Sequence, residues 1–492
     1  MACKRIRLWL IIFMQEWLPF STAYDPTEDP PGSVDPLGTL SEAERLADIL
    51  LPGFTVRIWR PRLLTFAAVA AVIAERAVRL TGREEDRLAA RLVVERMFVA
   101  AVTLQMEEFP DDFGSAGVRL PGRRLAEQAW REGEPLRSAN FLKGQAVNGP
   151  FGVMARLARS LGLVDADGRP GRSAPDLLLA WSEDLGLPDF LEDPKQASGE
   201  GIRWAKRITE TVVQGLGRNG DWPGRSQQVW AMLAGKLRPD GMRAGKERGA
   251  IIAALNGDPV RRRMFDIMRA PESLNAYRER AGQDRGVFER TVLLKTLRPL
   301  LQTDDDPVDR TIASCLRAIE GYEKASAVLQ QVFDAILWGL RNKSGQATQA
   351  EILELAPVAQ VIKRAVANAS AVSRDLEQAG AEFKDAAVQN AAARVQAIER
   401  IRDDIALCAN SVDAAVSAVM GRHQRIQKEK RKAAWIDCGP VWILMPGRGS
   451  DADRPSEYRN TFLHPMRIEN GFNFLRELGL ARLPNTAIAD DN

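Results

Sequence analysis

Between Val358 and Ile436 the chain contains no proline, and apolar residues recur through the second half of this stretch at helical spacing. Val395, Ile398, Ile401, Ile405, Cys408, Val412, Val416 and Val419 follow one another in steps of 3, 3, 4, 3, 4, 4 and 3. Steps averaging about 3.5 align these side chains on one stripe, the seam of a coiled coil or a long helical hairpin. The stripe is small, β-branched and flanked by alanines, which suits close helix packing. It runs into Arg422–Lys432, where six basic residues face one acid. Cations in a last helical turn complement the helix dipole and keep the surface solvated. The region from about Asp309 to Lys432 is therefore expected to form long helices, in a protein that is mainly α.

The chain has 492 residues, 45% hydrophobic and 27% charged, a composition that is globular and neither disordered nor membrane-embedded. Its scarce residues exclude more chemistry than its common ones suggest. Two His and four Cys occur in the whole chain, and Cys3, Cys315, Cys408 and Cys438 stand singly with no CxxC pair. That argues against a zinc finger, ribbon or deaminase centre, and against His-based nuclease or Ser-His-Asp chemistry. No cofactor or metal is expected, and scattered single cysteines suit a reducing, cytoplasmic location. At the N-terminus, Lys4–Arg7 followed by Leu8–Met14 imitates a signal peptide, but the apolar run stops at Gln15-Glu16 without a small-x-small cleavage site. A translation start at Met14, with residues 1–13 contributed by an upstream start choice, is the preferred reading. The longest apolar run, Leu63–Ala74, is too short to span a bilayer, so no membrane partner is expected.

Punctuation divides the chain. Residues 1–40 form an extended lead-in rich in Pro, Asp and Gly. Residues 41–136 read as a helical N-terminal module. It begins with a capping box at Ser41–Glu44, breaks at Leu51-Pro52-Gly53, and continues in helices over about Arg62–Leu80 and Glu84–Met106. Residues 137–195 have a different grammar: a short helix broken at Asn148-Gly149-Pro150, a second over Phe151–Leu161 closed by Gly162, and a strand with an Asp167-Gly168 turn. A third helix over Pro175–Leu185 follows. Helix, turn, helix, wing and helix is the order of a winged-helix unit, whose second helix can enter a major groove while the wing touches phosphate. Arg156 and Arg159 lie off the apolar stripe of the second helix, and Arg169 and Arg172 lie on the wing. Winged units also dock proteins, so both roles stay open.

Residues 196–300 form a basic helical module. Positions 201–300 carry 20 Lys+Arg and 10 Asp+Glu, a local +10 concealed by the overall +3. Arg261, Arg262 and Arg263 sit within it, interleaved with Trp204, Trp222, Trp230, Phe265 and Tyr277. Such a mixture releases counterions from phosphate and can stack on bases, although tryptophan at helical spacing also serves as core. Residues 301–432 are the long helices. Residues 433–492 read as a β-hairpin, Ala434–Asp437 with Val441–Met445, and a terminal amphipathic helix carrying Phe472, Phe474, Leu475 and Leu478.

Several motif matches fail on context. Gly215–Gly220 fits GxGxxG but is followed by Asp221-Trp222-Pro223-Gly224, a turn, with no βαβ pattern around it. No P-loop and no GxSxG elbow is present. Asp304-Asp305-Asp306 precedes Pro307 and reads as a helix cap rather than a cation site. His464, with Glu469 and Glu477 nearby in sequence, is the sole acid/base corner, and a packed histidine is the commoner outcome.

Four sets of residues carry a resemblance: Tyr24-Asp25-Pro26 with Asp29–Gly32; Leu51–Thr55 with Arg60–Leu63; the Phe151–Leu163 helix; and Leu463–Arg467. Together they resemble large bacterial proteins with a Pro-Gly/Arg-x-Arg N-terminal signature and a winged-helix-like middle, encoded in anti-phage defence and mobile-element loci. The resemblance favours the Met14 start and brings no catalytic residues. Together with the helix-helix-wing order and the concealed +10, it leads to the expectation of a non-enzymatic DNA-binding and assembly component of a bacterial defence or DNA-transaction complex, with duplex DNA and other protein subunits as partners. The alternatives are a protein–protein scaffold without DNA binding and a metal-dependent nuclease with dispersed carboxylates. The expected architecture is a multi-module helical protein with a winged-helix-like unit, a long helical hairpin or coiled coil, and a small C-terminal β-hairpin plus helix.

Overall fold

The computed structural model describes residues 35–109, 120–193, 198–217, 227–240, 242, 245–279, 288–289, 306–385, 392–446, 448, 464 and 466–482. The signal-like segment, the Met14 question, Trp222, Asp304 and Asp305 lie outside the described residues. The protein is mainly α, with one small antiparallel sheet. It divides into two compact units, each assembled from separate stretches of chain: 47–313 with 465–492, and 1–46 with 314–464. The boundaries cut helix α1 (Thr39–Leu50) and helix α13 (Pro307–Asn342). Apart from 41–46, the segments expected as modules 41–136, 137–195 and 196–300 thus share one unit.

In that unit the organising element is α2 (Leu63–Thr81). Every residue from Leu63 to Ala74 is buried, so a helix apolar on all sides becomes the centre of a core. Around it lie α3 (Asp86–Glu108), α4 (Arg123–Arg131), α5 (Gln145–Asn148), α6 (Pro150–Ser160), α7 (Ala174–Asp184), α8 (Glu200–Leu216) and α9 (Gln227–Leu237). Helices α10 (Lys246–Asn256), α11 (Pro259–Met268) and α12 (Pro271–Arg278) follow. Phe66 on α2 stacks on Phe98 of α3 with centroids 4.1 Å apart. Trp181, Phe190 and Trp204 form an edge-to-face cluster whose centroids are 5.0–5.8 Å apart. Phe265 and Tyr277 are likewise buried. Trp204, Phe265 and Tyr277 of the basic window are therefore core side chains and not stacking platforms.

The second unit is built on the long helices. Beyond α13 come β1 (Gln346–Ala347), α14 (Gln349–Leu353), α15 (Ala356–Asp385), α16 (Ala392–Cys408), α17 (Val412–Glu429), β2 (Ile436–Cys438) and β3 (Trp442–Leu444). The seam residues Ile398, Ile401, Ile405, Cys408, Val416 and Val419 are buried, as their spacing requires. They do not lie on one rod. The helix stops at Cys408, and the Ser411 hydroxyl accepts from Ala414 N to start α17. Asp404 then meets Arg422 at 2.7 Å, although 18 residues of straight helix would part them by roughly 27 Å. The seam is a hairpin folded on itself. The C-terminal hairpin is present, with β2 and β3 antiparallel, and β1 adds a third strand on the other side of β3. The terminal helix, α18 (Ile468–Glu477), returns to the first unit, where Phe474 meets Phe54 with centroids 4.8 Å apart.

One cap differs from expectation and another meets it. Helix α1 begins at Thr39, and Asp35 rather than Ser41 caps it, accepting from Leu40 N and Ser41 N at 3.1 Å each. Ser41 instead donates its hydroxyl to Gly38 O. Asp306 accepts from Val308 N at 2.7 Å, the helix-cap role expected of that acidic run. Among the described residues, no helix is long and apolar enough to cross a membrane.

Candidate nucleic-acid interface

The order expected for residues 137–195 is present. Helix α5, a turn at Gly149, helix α6, a bridge between Val164 and Pro170, and helix α7 follow one another. Pro150 opens α6 at a position where its missing N–H is harmless. Gly162, at φ 68°, closes it, with Leu163 N donating to Ala158 O at 2.9 Å.

The start of α6 is held from outside. Glu95, buried in the middle of α3, accepts from Phe151 N at 2.7 Å and from Gln145 Nε2 at 2.8 Å. Gln145 also accepts from Arg96 at 2.6 Å and donates to Leu92 O at 2.8 Å. The Arg91 guanidinium lies 4.0 Å from the centre of the Phe151 ring. Burial outweighs the donors around Glu95 and pushes its carboxyl up to about 7. Helix α6 therefore has a side chain from another helix as its cap.

Each arginine proposed from sequence has a definite place. Arg156 and Arg159 are exposed on α6. Arg156 is 45% exposed and pairs with Asp48 at 2.6 Å. Arg172 is exposed, and neither it nor Arg159 makes an ion pair among the described residues. Arg169 pairs with Glu84 at 3.2 Å, and the wing tip beside it carries Asp165 and Asp167. The expected phosphate-touching wing is thus partly neutralised by its own acids.

The triplet does not act as one patch. Arg261 is 2% exposed, donating to Leu255 O at 2.7 Å and to Pro52 O at 2.9 Å. It is a structural residue, removed from the candidate interface. Arg263 makes a two-pronged pair with Asp309, both bonds at 2.7 Å, and that pairing raises its basicity. Only Arg262 of the three is exposed. Three successive helix positions point about 100° apart, so a triplet necessarily divides between core and solvent.

Other exposed cations precede α6 in the chain. Between Glu134 and Asp165 the chain carries Arg137, Lys143, Arg156 and Arg159 and no carboxylate side chain, and all four are exposed. Arg57 is exposed and donates to Asn148 Oδ1 at 2.6 Å at the end of α5. An acid-free run of this length was the available signal for Arg137 and Lys143. Glu95 and Arg57 had none, because only folding brings them to α5 and α6.

The arrangement limits what α6 can read. A recognition helix offers its N-terminal residues to base edges. Here Pro150, Phe151, Val153, Met154, Ala155, Leu157 and Ala158 are buried, and Glu95 occupies the N-terminal donors. What remains is a narrow strip of Arg156, Arg159 and Ser160. That burial leaves little of this helix free to enter a major groove.

The remaining candidates are structural. Gly215 and Gly217 end helix α8 and follow no strand, while positions 218–220 lie outside the described residues. His464 N donates to Glu323 at 3.1 Å, and its ring faces the same carboxylate, whereas Glu477 pairs with Arg60 at 2.8 Å. Among the described residues no group of three or more His, Cys, Asp or Glu is placed to hold a metal ion. No protein-family model matches this chain, and no curated protein or solved structure matches it.

Proposed function

We propose that the protein is a non-enzymatic component of a DNA-transaction complex that holds nucleic acid by its phosphate backbone through the α5–α6 surface. The supporting observation is the exposed, acid-free run Arg137, Lys143, Arg156 and Arg159, extended by Arg172. The long helical hairpin supplies assembly surface, and other protein subunits are its partners. The sequence resemblance to bacterial anti-phage defence proteins supplies the setting. A second reading, a docking scaffold without DNA contact, draws on Val147, an α5 side chain 63% exposed beside the same strip.

A salt titration of duplex binding tests the proposal. Neutralising about four phosphates gives a log–log slope of about −3.6, a loss of roughly a hundredfold in affinity between 50 and 200 mM salt. Arg156→Ala with Arg159→Ala should flatten the slope by about 2. Absence of binding at low salt, or an unchanged slope in the double variant, favours the scaffold.

A further inference from the structure

In the unit built on the long helices, the basic end of α17 grips a distant piece of main chain. Arg422 donates to Leu37 O at 2.7 Å, Gln427 to Pro36 O at 3.0 Å, and Lys430 to Asp35 O at 2.6 Å. His423 lies at the centre of this grip. Its Nδ1 is 3.0 Å from Pro36 O, and its Nε2 is 2.9 Å from Trp435 N. The Trp435 N–H can only donate, so Nε2 accepts and the proton sits on Nδ1, which donates to Pro36 O. One neutral imidazole therefore ties residues 35–37 to the start of the C-terminal hairpin.

We infer that His423 is a pH-sensitive latch: protonation at Nε2 sets two N–H groups against each other at Trp435 and releases that end of the tie, while Nδ1–H still donates to Pro36 O. Among the described residues, no carboxylate is placed against the ring to stabilise the cation. From α17 the facing charges are Arg422 and Lys430. From α16 the carboxylate is Asp404, which accepts from Arg422 and Arg425. Asp35 of the held segment pairs with Lys430. From α13 comes the Phe333 ring, 4.9 Å away. Burial, reinforced by Lys430 and opposed by the Pro36 carbonyl, holds the imidazole below the usual histidine range.

The test is hydrogen exchange on the full chain from pH 7.5 to 4.5, corrected for intrinsic rates, alongside ¹⁵N-histidine NMR. With two histidines in the chain, the spectra hold two ring systems. Protection at Trp435 should fall, by about tenfold or more, over the pH range in which His423 takes up its proton, while residues 35–41, still held by Arg422, Gln427 and Lys430, should keep theirs. His423→Gln, which donates and accepts but does not titrate, should keep the tie at pH 7.5 and lose the step. Protection that survives protonation of His423, or the same step in the Gln variant, overturns the inference. Should that variant fail to fold, the wild-type comparison of ring titration with exchange decides alone.

Discussion

Replacing Glu95 by Gln should remove a pH dependence from the stability of the fold. The carboxyl moves from 4.5 to about 7 on folding, because burial outweighs the bonds from Gln145 and from the start of α6. A difference of roughly 2.5 units at about 1.36 kcal/mol each is about 3 kcal/mol. The folded state holds the proton more tightly, so this contribution is fully present below pH 4.5 and is lost as pH rises to about 7. The amide of the Glu95→Gln variant does not titrate. Its destabilisation relative to wild type should therefore be greater at pH 4.5 than at pH 7.5, by about 3 kcal/mol. Urea denaturation of both proteins at the two pH values, read by pulsed hydrogen exchange over residues 150–160, measures this double difference and cancels groups common to both. A double difference below about 1 kcal/mol would mean that Glu95 is not desolvated as its burial implies, and would refute the reasoning.

Arg261→Met should lower stability by about 1–3 kcal/mol, since it leaves the Leu255 and Pro52 carbonyls without their donor. Thermal melting reads the loss, and the salt slope of nucleic-acid binding should be unchanged. Asp404→Ala should cost about 3–5 kcal/mol, because it leaves buried Arg422 without its carboxylate. Asp404→Asn, which keeps the shape without the charge, separates packing from electrostatics in the same denaturation assay. The salt-slope change expected for Arg156→Ala with Arg159→Ala is the functional counterpart to these stability effects.

The predominance of helix was legible in the sequence, and so were several element positions. Apolar spacing located α2 and α3 to within a few residues and foresaw the seam of α16 and α17 and the terminal α18, because a helical stripe is local information. The hairpin at Ile436–Leu444 was legible for the same reason. The strand at Gln346–Ala347 was not: two residues carry no periodicity, and their strand character comes from pairing with Ile443 and Trp442. Nor was the break at Ala409–Ser411 legible, since the apolar steps continue across it while the chain reverses.

Composition and spacing by themselves determined a helical protein poor in His and Cys, with a basic window near its middle. Tertiary structure decided which charges in that window face water. Burying an arginine requires partners that sequence proximity does not supply. Arg261 found the carbonyls of Leu255 and Pro52, Arg263 found Asp309, and Glu95 crossed from α3 to cap α6. Net charge is a sum over residues and survives folding unchanged. Where that charge can meet a phosphate depends on burial and pairing, which residues far apart in the chain settle together.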